Sequence, residues 1–168
     1  QRLGMNLIKS ELQDLGFRAL HPWRHAVIEK RIRSQPVVRR EALAQIEAQL
    51  AQKLALEKLP HRLVGRIKTP WSIYTKMRAE NRSFAQVMDV FGYRIVVGSV
   101  AECYHALGVV HAAFKPLDGR FRDFIAIPKA NGYQSLHTVL FGPYGSPIEV
   151  QIRTREMDLV AERGVAAH

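Results

Sequence analysis

The sequence predicts an α+β chain: a mixed β-sheet flanked by helices, set behind an N-terminal helical segment. Three observations carry this. Apolar residues recur at helical spacing through residues 1–60. From about Leu63 onward, short β-rich runs alternate with helix patterns that open on recognisable caps. Near the end, two strand-like runs flank Gly-Pro-Tyr-Gly-Ser, which reads as a hairpin loop.

In the first region, Leu7, Ile8, Leu12 and Leu15 form one apolar stripe, with Gly16 as a stop signal. A second helix follows Pro22, carries Trp23, Val27, Ile28 and Ile32, and ends before Pro36. Trp23 is expected in the core. The third, Arg39 to Leu59, is rich in strong helix formers and repeats Leu43, Ile46, Leu50 and Leu54 at helical spacing until Pro60 closes it. Its charges read as solvated faces, and the apolar stripe is expected to pack on the next region or on a neighbour outside the chain.

The second region opens with a strand over Leu63 to Lys68. Thr69 and Pro70 then supply a cap and first turn for a helix over Trp71 to Arg78. Phe91 to Val97 is a central strand, and Ser99 with Glu102 is a capping box opening a helix to about Phe114. Strands follow over Ile125–Ile127, Ser135–Phe141 and Pro147–Arg153. Thr154 starts a last helix with Met157, Val160 and Ala161 inward.

The chain's 168 residues suit one domain with an appendage and a core that needs no staples. One cysteine, Cys103, permits no internal disulfide and fits a reducing compartment. No apolar run approaches the roughly 20 residues that span a bilayer, and no signal peptide is visible. Beginning on Gln1, the chain reads as a piece of a longer protein. Its net charge of +10 favours anionic partners: nucleotides, RNA or acidic proteins. The excess is spread along the chain rather than gathered in one tail.

Several constellations could carry chemistry. If Ile148, Val150 and Ile152 face the core, then Glu149, Gln151 and Arg153 share the opposite face, joined across the hairpin by Ser135 and His137. This is either a functional surface or a solvated edge. Arg66 and Lys68 project to one side at strand spacing, and Ser72 and Lys76 share a face of the next helix; together they suggest a phosphate cradle at a helix N-terminus. There is no Gly-x-x-x-x-Gly-Lys-Ser/Thr loop, so a nucleotide is not held as in P-loop enzymes. Asp89 stands at the mouth of the central strand, where a carboxylate suits Mg²⁺. Arg94, inside that apolar strand, needs a partner: a protein acid such as Asp89, or a ligand phosphate. Asn131-Gly132 is a turn that would present Tyr133 outward as a stacking surface. The remaining histidines show no metal-ligand spacing, and no Ser-His-Asp or Cys-His set is present.

Taken together, the ordered motifs resemble the synthetase domain of RelA/SpoT-type stringent-response enzymes. They are Gly65-Arg66-Ile67-Lys68, Ser72 to Met77, Asp89 with Arg94, Arg120-Phe-Arg-Asp123, Pro128 to Thr138, Ile148 to Thr154 and Gly164 to His168. Upstream, Glu11 to Arg18 is similar to the segment that links the family's hydrolase and synthetase domains. The resemblance implies a nucleotidyltransferase-like fold, a helical linker over 1–60 and a (p)ppGpp synthetase domain over 61–168 that is truncated at its C-terminal end. It implies transfer of pyrophosphate from ATP to the 3′-hydroxyl of GDP or GTP, with Mg²⁺ as cofactor. Arg66, Lys68, Ser72, Lys76 and Arg94 would bind ATP. Lys129, Asn131, Tyr133, His137, Gln151 and Arg153 would serve the guanine nucleotide. Asp89 and Glu149 would be catalytic, Asp89 on the metal and Glu149 as general base or second metal ligand. Arg120 to Asp123 is similar to the basic form of bifunctional members. The expected parent is therefore a cytoplasmic synthetase/hydrolase whose hydrolase and regulatory domains are partners, with ribosome contact through the full-length protein and no membrane association. Arg122, Trp71, Thr69 and the Gly92-Tyr93 pair depart from the family's usual residues. They leave an alternative open, a weakly active or inactive nucleotide-binding regulatory module. An RNA-binding domain ranks last.

Overall fold

The computed structural model describes residues 3–35, 40–87 and 90–164. Among the described residues six α-helices and five strands follow in order: α1 (Leu3–Leu20), α2 (Pro22–Arg33), α3 (Arg40–Leu56), β1 (Arg62–Ile67), α4 (Pro70–Ala79), β2 (Phe91–Val97), α5 (Val100–Ala113), β3 (Arg122–Asp123), β4 (Leu136–Phe141), β5 (Pro147–Thr154) and α6 (Arg155–Gly164). The strands form one mixed sheet in the order β1-β2-β5-β4-β3. Only β2 and β5 run parallel.

The local signals act as expected. Thr69 caps α4, its hydroxyl accepting from Ser72 N–H at 3.2 Å with Pro70 in the first turn. Ser99 caps α5 by accepting from Glu102 N–H. Lys58 at φ 55° breaks the run after α3 and lets Leu59 fold back into the core. Along β2, Phe91, Tyr93, Ile95 and Val97 are buried on one side. Along β5, Ile148, Val150 and Ile152 join them. Ile46, Leu50 and Leu54 of α3 and Cys103, Ala106 and Val110 of α5 complete this core. Tyr93 ties sheet to helix by donating its hydroxyl to the Leu43 carbonyl at 3.0 Å. The other face of the sheet is polar, and α4 and α6 border it.

Several expectations are corrected. Helix α1 does not stop at Gly16 but continues to Leu20, because Phe17 beyond it is buried against Tyr74 and Trp71. That packing outweighs the roughly 1 kcal/mol a mid-helix glycine costs. Ile8, Leu12 and Leu15 of the proposed stripe are exposed, and the side chain of Leu7 lies outside the described residues. Trp23 is 76% exposed rather than core, since Phe17, His25 and Ile28 occupy the inward side. Ile125–Ile127 is a turn, not a strand: the Asp123 carboxylate accepts from the N–H groups of both Ile125 and Ala126 at 2.9 Å and bends the chain there. In α6, Met157 and Ala161 are buried, but Val160 faces solvent and Asp158 takes the inward place.

Candidate functional site

Register fixes which side chains meet on the polar face. Arg66 pairs with Gly92, and Gly92 with Glu149; one row along, Val64 pairs with Arg94, Arg94 with Gln151, and Gln151 with His137. Since side chains two apart share a face, these residues stand side by side across four strands. Gly92 leaves the floor open between Arg66 and Glu149. A Cβ there would meet the Glu149 carbonyl at 3.2 Å.

A cavity of about 490 Å³ opens on this floor, lined by Arg66, Lys68, Ser72, Lys76, Arg94, Gln151 and Glu149, with Val64, Gly92, Tyr93 and Glu162. All five residues expected on the ATP side are thus gathered in one place. The cradle is built of side chains rather than a free helix end. The Trp71 N–H of α4 is taken by Asp14 Oδ1 at 3.0 Å and that of Ser72 by Thr69. Arg66 is anchored by Ser10 Oγ of α1 at 2.8 Å.

Glu149 is the hub. Its carboxylate is paired with the Lys68 ammonium and accepts from Gln151 Nε2 at 2.9 Å. Gln151 Oε1 in turn accepts from Arg153 Nη2 at 2.6 Å. Charge at both ends orients the amide, nitrogen toward the carboxylate and oxygen toward the guanidinium. Burial would raise the Glu149 pKa, but Lys68 and Gln151 outweigh it and hold the group well below the usual carboxylate range, so it is ionised at neutral pH.

The chain of contacts continues into an aromatic cluster. The Arg153 guanidinium lies 5.6 Å from the Tyr133 ring centroid. The Tyr133 hydroxyl and His137 Nε2 are 2.6 Å apart. Lys129 Nζ sits 4.7 Å from the Phe124 centroid and 5.4 Å from that of Tyr133. Phe124 meets His137 edge-on at 5.2 Å. Burial, partly opposed by Glu149 and reinforced by Arg153, Lys129 and Lys68, lowers the His137 pKa to about 4. The imidazole is therefore neutral near pH 7. It accepts the tyrosine proton at Nε2 and carries its own hydrogen on Nδ1. Gly132, at φ +84°, makes the turn before Tyr133, and Asn131 Oδ1 accepts the Tyr133 N–H at 3.1 Å. That turn tucks the ring half-inward rather than presenting it outward. Ser135 is fully buried and donates to the Ile152 carbonyl at 3.0 Å, so it does not join the polar face.

Arg94 finds two acids on α6, Glu162 at 2.9 Å and Asp158 at 3.3 Å. Asp158 also meets Arg62 at 2.9 Å and Arg153 at 3.4 Å. Asp158, Glu162 and Phe124 were not singled out as site residues from the sequence. The i, i+4 spacing of the two acids just past Arg153 was a signal available for them. Asp89 lies outside the described residues. Among the described residues no group of three or more His, Cys, Asp or Glu could hold a metal. Glu149 does offer one hard oxygen donor inside the cation-lined cavity, which suits an ion bound chiefly through phosphates. No described helix is long and apolar enough to cross a membrane.

The family model described as "Region found in RelA / SpoT proteins" matches residues 65–168. The chain is 47% identical over 167 residues to the bifunctional (p)ppGpp synthase/hydrolase SpoT of Escherichia coli K12, covering 99% of itself and 24% of that protein. To a GTP pyrophosphokinase of Streptomyces coelicolor it is 46% identical, covering 99% of itself and 20% of that protein. It thus spans about a quarter or less of the length of these curated relatives. Among solved structures it is similar to the small alarmone synthetase 1 of Bacillus subtilis bound to its product pppGpp, with a TM-score of 0.65 and 26% identity over 76% of this chain and 74% of that one.

Proposed function

The chain belongs to the RelA/SpoT family, and from that premise we propose that it is a pyrophosphokinase: it transfers the β,γ-pyrophosphoryl group of ATP to the 3′-hydroxyl of GDP or GTP. The carrying observation is the position of Glu149 between two differently equipped surfaces. On one side lies the cavity with Arg66, Lys68, Ser72, Lys76 and Arg94; on the other, through Gln151 and Arg153, lies the Tyr133–His137–Lys129 cluster. The relatives' names and the pppGpp-bound neighbour support the same reading.

The residues divide the work as follows. Arg66, Lys68 and Lys76 of the cavity take the triphosphate, which needs charge neutralisation and alignment more than covalent help. Lys129, Asn131, Tyr133, His137, Gln151 and Arg153 receive the guanine nucleotide. Its 3′-oxygen attacks the β-phosphorus; the new O–P bond forms as the bond from the α–β bridging oxygen to that phosphorus breaks, and AMP leaves. Glu149 takes the hydroxyl proton. In the structure the paired Lys68 keeps that carboxylate ionised. Once Lys68 turns to a phosphate, burial raises the basicity of Glu149 at the point where a base is needed. Glu149 and Asp89 would hold Mg²⁺, which supplies further neutralisation of phosphate charge. The wider reading is that residues 61–168 form the synthetase unit and 1–60 its helical linker, within a longer cytoplasmic synthetase/hydrolase whose other domains regulate it.

Incubation with ATP, GDP and Mg²⁺ is expected to yield AMP and ppGpp, and Glu149→Gln to slow this by about 10²-fold or more, the scale of general-base catalysis. Undiminished turnover in the variant would refute the assigned role. The closed Lys68–Glu149 pair favours one second reading, a module that binds guanine nucleotide without turning it over. Tight GDP binding with no product from the unmodified chain would establish it.

A further inference from the structure

The nucleotide cavity has two chemically distinct ends. Lys68, Ser72 and Lys76 mark one. Four residues back along the strand, roughly 13 Å away at about 3.3 Å per residue, Val64 presents an exposed apolar side chain in the same row as Arg94. Glu162 of α6 closes that end. Its side chain is only 10% exposed. One carboxylate oxygen, Oε1, is taken by Arg94 at 2.9 Å. The other, Oε2, is buried and has no hydrogen-bond partner among the described residues.

A buried carboxylate oxygen left unpaired costs more than almost any other polar group. It is an acceptor and nothing else, so it repels phosphate and calls for an N–H or O–H donor. With its charge met by Glu162, the planar Arg94 guanidinium and the apolar Val64 beside it make a surface on which a base can stack. We infer that Glu162 is a specificity-determining residue: with a small turn of its side chain about Arg94, the unpaired oxygen comes to the cavity wall and accepts the exocyclic amino group of the adenine, selecting ATP over nucleotides whose base carries an oxygen at that position. A guanine would set its carbonyl against the carboxylate, two acceptors with no proton between them.

This inference rests on the proposed ATP site, and the test separates the two. Binding to this chain is measured by calorimetry for three non-hydrolysable triphosphates: the ATP analogue, its 6-deamino purine counterpart and its 2′-deoxy counterpart. The ATP analogue is expected to bind about tenfold more tightly than the deamino compound, and about as tightly as the 2′-deoxy compound. In Glu162→Gln the preference for the amino group shrinks to threefold or less, because the new amide must turn its NH₂ toward either Arg94 or the adenine amine, both donors. Equal binding of the ATP and deamino analogues to the unmodified chain overturns the inference while leaving the ATP site standing. Loss confined to the 2′-deoxy compound overturns it too, assigning the donor to the ribose. Failure of all three to bind overturns both readings. The comparison of analogues on the unmodified chain decides the matter even if Glu162→Gln does not fold.

Discussion

Asp158→Ala is expected to destabilise the fold by about 3 kcal/mol, and the structure says which contact is responsible. Three guanidinium groups surround this buried carboxylate, but they do not lose equally when it goes. Arg62 is 46% exposed and simply returns to water; an exposed ion pair is worth about 0–1 kcal/mol. Arg94 keeps Glu162. Arg153 is 1% exposed and, among the described residues, retains the Gln151 carbonyl oxygen, the Tyr133 ring and the more distant Glu162 carboxylate, none of them a direct ion pair. Leaving one buried charge uncompensated costs roughly 3–5 kcal/mol; the surviving Gln151 bond places the value at the lower end. Urea unfolding followed by far-ultraviolet circular dichroism measures it, with Arg62→Ala as the internal control at under about 1 kcal/mol. A second variant, Asp158→Leu with Arg153→Met, removes charge on both sides and should recover most of the loss. If Asp158→Ala cost no more than Arg62→Ala, the view of Arg153 as the dependent partner would be wrong.

Two further outcomes follow from the same geometry. The lowered His137 pKa, about 4 in the fold against about 6.5 unfolded, means the unfolded chain binds more protons between those values. Stability contributed by the neutral imidazole is therefore complete above about pH 6.5 and lost as pH falls toward 4, by at most about 3 kcal/mol. His137→Asn should flatten that part of a stability–pH curve from thermal melts, and an unchanged slope would refute it. Trp23→Ala should change stability by less than about 0.5 kcal/mol, because the ring is mostly in water. A larger loss in chemical denaturation would show that it packs in solution.

Much of the site was legible because it depends on local periodicity and short motifs. Glu149 and Gln151 alternate with Ile148, Val150 and Ile152, so a strand of period two must put them on the other face. Arg66, Lys68, Ser72 and Lys76 fall within eleven residues, and the Thr69–Pro70 cap fixes how strand and helix join. The turn over Ile125–Ile127 was not legible. Its apolar residues look like strand, and a side chain two residues earlier overrides them. Trp23 misled for a related reason: apolar character says that a residue can be buried, not that a neighbour will cover it.

The sequence by itself determined most of the elements, their caps, the alternation that separates core from polar face and the ordered motifs of the family, because these rest largely on interactions within a few residues. Tertiary structure alone decided the partners. Arg94 and Gln151 stand 57 positions apart in the chain and become neighbours only through the parallel pairing of β2 with β5. Glu162 reaches Arg94 only because α6 folds back over the polar face. Lys68 meets Glu149 across two strand pairings for which no local pattern codes. Charge is written in the sequence. Which opposite charge neutralises it, and which buried acceptors stay unpaired among the described residues, depends on distances that only the packed sheet establishes.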